Sequence, residues 1–435
     1  NRMSITEIHH LLEYFPGLSD VIEIKEVIGE GTFSTVYLGV AKKDEHKKRK
    51  LALKEIVPTF HPNRVVNELK CLKLLGGKYN VMGIHACLRQ LDHIVLVMPY
   101  FKHTNFHDYY DDLTPSEVQD YMRNLLIALK WIHSKKIIHR DVKPANFLFC
   151  RQTARYCLID FGLAQQKGNS WNFISRTRTS HNENKMSSFI SKRKKRECIV
   201  TKDVPGSFRL ALSSKTNLTS NPKKHNLKDS SLLDMRKRGR IVNKRKNFSL
   251  PRKPYKVCSC LGKPLVCHVC SQKPVEISPR GGTPGFRPPE VLFQYPNQTT
   301  GVDIWAAGVI FLTLLSGRYP IFRSPDDMTA LAEIATIFGT QDLQDAAAIL
   351  GKSFLCSKSC SKLSIKTLCK KLRCGKCNSD KATGSGQDDF VCPCGRISYP
   401  DEAYDLLEKM LKIDFNHRIS AVDALDHQFI KMKCD

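Results

Sequence analysis

Nine consecutive residues, Ile138-His139-Arg140-Asp141-Val142-Lys143-Pro144-Ala145-Asn146, place a carboxylate, an ammonium and a carboxamide within a few positions of one another. Asp141 can orient an attacking hydroxyl and accept its proton. Lys143 can neutralise charge on a phosphoryl group in transit, and Asn146 can hold a Mg²⁺ ion. Fourteen residues on, Asp160-Phe161-Gly162 follows the apolar run 156–159, so a second carboxylate stands at a strand end. There it can bridge Mg²⁺ to the β- and γ-phosphates of a nucleotide. A lone Asp-Phe-Gly is usually a plain turn; its distance from Asn146 argues for chemistry.

Upstream, Ile28-Gly29-Glu30-Gly31-Thr32-Phe33-Ser34-Thr35-Val36 reads as a glycine-rich turn between two strands. Glycine lets backbone amides face phosphate oxygens with no side chain in the way. Ser34 stands where a third glycine is common in such loops, which stiffens the turn. Lys54 supplies a cation on the otherwise apolar strand 51–56, and its spacing from the glycine turn suits contact with the α- and β-phosphates. Glu68, on the following helical stretch, is its expected ion-pair partner. Glu55 is the competitor, but adjacent strand residues point to opposite faces.

Downstream, Gly282-Thr283-Pro284-Gly285-Phe286-Arg287-Pro288-Pro289-Glu290 closes a long intervening segment, and Asp303-Ile304-Trp305-Ala306-Ala307-Gly308 opens an apolar helix expected beneath the catalytic loop. Arg418 is expected to pair with Glu290. Thr283 has two readings. It is a candidate regulatory phosphorylation site with Arg140 as the group that receives the phosphate. Alternatively, it packs beside the catalytic loop and helps recognise substrate hydroxyls.

These motifs, in this chain order, resemble the eukaryotic protein kinases. Glu30 to Ser34, Asn80-Val81-Met82-Gly83, Val97-Met98-Pro99-Tyr100, residues 139–147, 160–165 and 282–290, Pro296-Asn297-Gln298-Thr299-Thr300 and Ser316-Gly317-Arg318-Tyr319-Pro320 resemble more closely the catalytic subunits of DDK, the cell-division-cycle kinases that license replication origins. The resemblance covers roughly residues 20–164, 278–338 and 400–430. It implies a bilobal α+β fold, and Ser/Thr kinase activity with ATP and Mg²⁺. Ile28, Gly29, Gly31, Val36, Lys54, Glu68, Met98, Pro99 and Tyr100 become nucleotide-binding positions, and Asn146 and Asp160 the Mg²⁺ ligands. It further implies a nuclear enzyme, an activating regulatory subunit, and substrates among the MCM replicative helicase subunits. Hydroxyls followed by acidic or phosphorylated residues are the expected targets, met by basic residues near Arg287 and Arg318.

The elements that must position this chemistry follow from hydrophobic periodicity. Runs at 24–28, 36–40, 51–56 and 94–98 read as strands, with a helix over 63–75. From Thr114 the pattern turns helical, as Val118, Tyr121, Met122, Leu125, Leu126, Leu129 and Ile132 recur at three- and four-residue steps. The organisation expected is an extension (1–20), a small β-rich lobe (21–101), and a helical lobe in three parts (102–164, 279–338, 400–435). Two insertions separate those parts, at 165–278 and 339–399. Asn1 precedes Met3, which reads as a chain whose true amino terminus lies elsewhere. No run of about 18 apolar residues occurs, nor a signal-peptide pattern, so a soluble intracellular protein without a membrane partner is expected.

Of the net charge of +27, residues 165–280 carry an excess of 22, from 28 Lys and Arg against 6 Asp and Glu. That concentration points to an acidic partner for one segment rather than for the whole chain. Lys192-Arg193-Lys194-Lys195-Arg196, Arg236-Lys237-Arg238-Gly239-Arg240 and Lys244-Arg245-Lys246 suit a nuclear import receptor. With few aromatics between these runs, stacking on single-stranded nucleic acid is poorly supported.

The chain has 17 cysteines. In a compartment that keeps thiols reduced, such a count points to metal sites or buried thiols. Cys258, Cys260, Cys267 and Cys270 form one candidate structural Zn²⁺ set. Cys374, Cys377, Cys392 and Cys394 form a second, with Cys356, Cys360 and Cys369 as competing ligands. Cys71, Cys87, Cys150 and Cys157 lie in apolar runs and read as buried thiols. Two other functions stay open: a constitutive acid-directed kinase that works alone, and a zinc- and nucleic-acid-binding scaffold around an inactive kinase shell.

Overall fold

The computed structural model describes residues 2–31, 34–42, 49–56, 62–166, 267, 269, 279–374 and 399–433. The small lobe is built on an antiparallel five-stranded sheet: β1 (Ile22–Gly31), β2 (Ser34–Ala41), β3 (Lys50–Ile56), β4 (Ala86–Gln90) and β5 (His93–Pro99), in the order β1-β2-β3-β5-β4. Strand alternation divides β3. Leu51 and Leu53 join a buried cluster with Tyr37, Val95 and Val97, whereas Ile56 belongs to a second cluster continuous with the large lobe. The residues between them, Ala52 and Lys54, face that second side. Glu55 takes the first, accepting from Tyr37 Oη at 2.9 Å and lying 3.4 Å from His93 Nδ1.

The extension read over the first twenty residues packs on the sheet. Helix α1 (Arg2–Tyr14) lies on the outer face of the sheet, burying Leu11 completely, with Phe15 and Leu18 buried behind it. Each such side chain contributes about 1.5–3 kcal/mol when buried. Tyr14 stacks on His93 with ring centroids 3.5 Å apart. Helix α2 (Pro62–Leu75) crosses the other face of the sheet and carries Glu68.

In the large lobe, Thr114 and Glu117 form a reciprocal capping box that starts α3 (Pro115–Ser134). The Thr114 hydroxyl accepts from Glu117 N at 3.2 Å, and Glu117 Oε2 accepts from Thr114 N at 3.0 Å. The expected apolar stripe of α3 is buried throughout. Short strands follow: β6 (Ile137–Ile138), β7 (Phe147–Cys150), β8 (Arg155–Leu158) and β9 (Gln165–Gln166), with β6 pairing β9 and β7 pairing β8. After the short helix α4 (Pro289–Leu292) comes α5 (Gly301–Ser316), buried almost along its whole length. Leu411 packs so closely on Gly308 that a Cβ there would stand 2.8 Å from its side chain.

Helices α6 (Asp327–Phe338), α7 (Thr340–Ile349) and α8 (Ile365–Arg373) come next. The last two fall inside the segment read as an insertion from 339. Ile365 and Cys369 are fully buried in the large-lobe core, so the lobe itself continues to about residue 374. Arg373 makes the join. Its guanidinium donates to the carbonyls of Leu314 and, at 2.9 Å, Leu315, satisfying the open end of α5, and it reaches Tyr399 Oη at 3.2 Å. The lobe ends in α9 (Asp401–Met410), α10 (Ala421–Leu425) and α11 (Gln428–Lys431). No helix among the described residues is long and apolar enough to cross a membrane.

Three of the four cysteines expected to be buried, Cys71, Cys150 and Cys157, are so; Cys87 is exposed, because β4 is an edge strand with its outer positions open to solvent. Burial pushes the Cys71, Cys157 and Cys369 thiols up to about 12, which keeps them protonated.

Candidate active site

The catalytic loop is held from below by one buried carboxylate. Asp303, in the first turn of α5, is fully buried, and an ion in that position is tolerated only when fully bonded. It accepts from His139 N and Arg140 N, each at 2.8 Å, and lies 2.9 Å from His133 Nε2. These bonds hold Arg140 at φ +68°, a left-handed conformation costly for a residue that carries a Cβ. The Arg140 residue lies against Gly281 and Gly282. A Cβ on Gly281 would stand 2.5 Å from its guanidinium, and one on Gly282 2.6 Å from its carbonyl oxygen.

Above that support, four groups converge on Asp141. Asn146 Nδ2 donates to Asp141 Oδ2 at 2.9 Å and to its carbonyl at 2.8 Å, and Lys143 Nζ lies 3.0 Å from Oδ2. Thr283 donates to Oδ1 twice, from its amide at 3.0 Å and its hydroxyl at 2.6 Å. Lys143 Nζ also donates to the Thr283 hydroxyl at 2.8 Å. That hydroxyl is thus turned into the loop, against the carboxylate of Asp141. Arg287 fixes the approach by donating to Gly282 O at 2.8 Å.

A second cluster faces this one. Lys54 Nζ donates to Glu68 Oε1 and Asp160 Oδ1, both at 2.8 Å. Burial works against the Lys54 ammonium, but the two carboxylates outweigh it and raise its pKa. The Asp160 carboxylate is partly exposed, and Lys54, with a backbone bond from Gly162, holds it below the ordinary carboxylate value. Phe161 is fully buried and meets the His139 ring edge-on at 4.8 Å. Ile159 N donates to Asn146 O at 2.8 Å, which joins the two clusters through the backbone.

The glycine turn is the β1–β2 hairpin, with Gly29 opposite Val36 and Gly31 opposite Ser34; Thr32 and Phe33 lie outside the described residues. Ile28, Gly29, Gly31 and Val36 stand on this hairpin over the strand that carries Lys54. Met98 and Pro99 close β5, with Met98 opposite Ala52, and Tyr100 N donates to Lys50 O at 3.3 Å. Hairpin, lysine and this connecting strand are the parts an adenine nucleotide needs. Asp160 and the carboxamide oxygen of Asn146, whose Nδ2 is committed to Asp141, are hard oxygen donors of the kind Mg²⁺ prefers. When bound, the ion neutralises charge on the phosphates.

Away from the clusters, Glu290 and Arg418 form a bidentate pair at 2.7 and 3.1 Å. Of the cysteine sets, Cys258, Cys260, Cys270, Cys377, Cys392 and Cys394 lie outside the described residues; Cys267 and Cys374 are within them. Among the described residues no group of three or more His, Cys, Asp or Glu side chains could hold a metal ion. Sequence reasoning placed Asp303 only as the start of a helix. Its signal was there, a lone acid in an apolar run, which in a buried helix calls for a partner.

A model of the protein kinase domain matches residues 22–182 and 266–430. The cell division cycle 7-related protein kinases of Mus musculus and Homo sapiens are each 36% identical over 98% of this chain, covering 93% and 92% of those proteins. The cell cycle serine/threonine-protein kinase hsk1 of Schizosaccharomyces pombe is 30% identical over 98% of the chain and 75% of its own length. With catalytic aspartate, strand lysine and helix glutamate assembled on a two-lobed scaffold of this kind, the chain belongs to the Cdc7-related family of serine/threonine protein kinases.

Proposed function

We propose that this kinase is the catalytic half of a two-subunit nuclear enzyme that phosphorylates acid-flanked Ser and Thr in replication proteins such as the MCM helicase subunits. The observation that carries the substrate reading is the surrounding of Thr283. Arg280 and Arg287 both pair with Asp327, at 2.6 and 3.2 Å, and Arg287 also donates to the carbonyl of Gly282, the residue before Thr283, at 2.8 Å. A phosphate or carboxylate following the target hydroxyl suits that pair. The partner reading is supported by about 120 residues between Gly162 and Gly282, a length at which loop phosphorylation alone is a poor way to set the geometry. Nuclear import is supported by the basic runs of the first insertion.

One experiment covers the three parts. The tagged full chain, expressed in cycling cells, should accumulate in the nucleus, gain at least tenfold in activity with its co-purifying subunit, and prefer acidic residues after the target on a peptide array. Full activity alone, or a preference for basic or proline-flanked sites, would overturn the reading.

Zinc in the two cysteine sets is proposed on ligand spacing. The second set has further support from Arg373 meeting Tyr399, which draws together the ends of the stretch holding Cys377, Cys392 and Cys394. Metal analysis of the purified chain should find zinc, with one equivalent missing from a Cys267→Ser/Cys270→Ser variant. Unchanged zinc content would remove the first site.

A further inference from the structure

Catalysis requires Lys54, Glu68 and Asp160 to stay together, and a neighbouring bond outside that trio bears on whether they do. Asn67 directly precedes Glu68 on α2, and its Nδ2 donates to the carbonyl of Ala164 at 2.6 Å. Successive helical side chains point about 100° apart. Glu68 therefore reaches the small-lobe lysine while Asn67 reaches a large-lobe segment two residues past Gly162.

That segment is a compact turn. Ala164 is buried and its amide donates to Phe161 O at 3.0 Å; Gly162 N lies 3.3 Å from Asp160 Oδ1. The turn lies against α2, since a Cβ on Gly162 would stand at ordinary contact distance, 3.6 Å, from Glu68 Oε2. The Ala164 carbonyl can keep its place only while Phe161 stays seated against His139. A bond to that carbonyl is made in one arrangement of residues 160–164 and lost in another, so it biases the equilibrium between them.

We propose that Asn67 is a positioning residue that latches α2 to residues 160–164, keeping Phe161 seated and Asp160 within reach of Lys54. It touches neither nucleotide nor substrate. A single amide-to-carbonyl bond shifts such an equilibrium by roughly two- to tenfold. Alanine favours a helix interior more than asparagine does, so loss of function in Asn67→Ala does not arise from a weakened α2. Asn67→Asp keeps the shape but replaces the donor by an acceptor facing a carbonyl.

The test uses the full chain with its activating subunit and two ATP-site inhibitors. One needs Phe161 seated; the other fills the space Phe161 leaves when it swings out. Both variants should lower kcat by roughly two- to tenfold. The affinity ratio of the inhibitors should move toward the second by a similar factor, with Asn67→Asp affected at least as much as Asn67→Ala. If kcat stays within twofold in both variants, or falls with no change in the inhibitor ratio, Asn67 is not a latch.

Discussion

Asp160→Asn should lower Mg²⁺-dependent turnover at least about a hundredfold at saturating ATP while leaving the protein folded. The carboxylate has two tasks that an amide cannot share. It bonds Lys54 at 2.8 Å, and as an anion held ionised by that ammonium it is the stronger of the two oxygen donors presented to the metal. With asparagine there, Lys54 keeps only Glu68 as a charged partner and the metal loses its anionic ligand. The fold should hold because the replacement is nearly isosteric and the side chain is 42% exposed. Steady-state kinetics alongside thermal unfolding checks this. Turnover within about threefold of wild type, with an unchanged melting curve, would remove Asp160 from the reaction.

The largest stability effect is expected at Arg418. Its side chain and that of Glu290 are 0% and 1% exposed. Besides the bidentate pair, the guanidinium donates to Gly301 O at 2.7 Å and to Lys412 O at 3.1 and 3.0 Å, and stacks over Trp305 at 5.2 Å. Arg418→Leu strands the Glu290 charge in the interior, at a cost of about 3–5 kcal/mol. That corresponds to a fall in Tm of roughly 5–8 °C for a folded body of this size. Adding Glu290→Leu removes the stranded charge and should recover a substantial part of the loss. A single variant that melts within about 2 °C of wild type, or a double variant that is additively worse, would show that the pair is not what holds α4 to the end of the lobe.

Much of this architecture is legible in the sequence wherever chemistry and local signals coincide. Thr114 and Glu117 announce a helix start three residues apart, and the stripe from Val118 to Ile132 says which face it buries. Strand alternation alone separates Lys54 from Glu55, and the structure pairs the first with Glu68 and turns the second toward Tyr37 and His93. What stays hidden depends on contacts with no local signature. Asn67 meets a carbonyl 97 positions away. Helix α1 has ordinary amphipathic residues whose partner, the outer face of the sheet, is invisible until the strands are ordered. Within the segment from 339, clustered cysteines and Gly-Ser-Asp composition near its end hid two helices, and Ile365 and Cys369 of the second are buried in the large-lobe core. Cys87 sits in an apolar run, but its strand has a neighbour on one side only.

The meeting of Arg373 and Tyr399 has a consequence for how chains of this kind can change in length. The residues that flank 375–398 meet at one place, because Arg373 and Tyr399 both reach the last turn of α5 at Leu314 O and bond one another at 3.2 Å. Lengthening a closed stretch costs little, with each doubling adding about 0.6 kcal/mol. With the flanking residues already held together, a fluorescent reporter or affinity handle inserted between residues 375 and 398 should leave turnover and the melting temperature close to those of the parent chain.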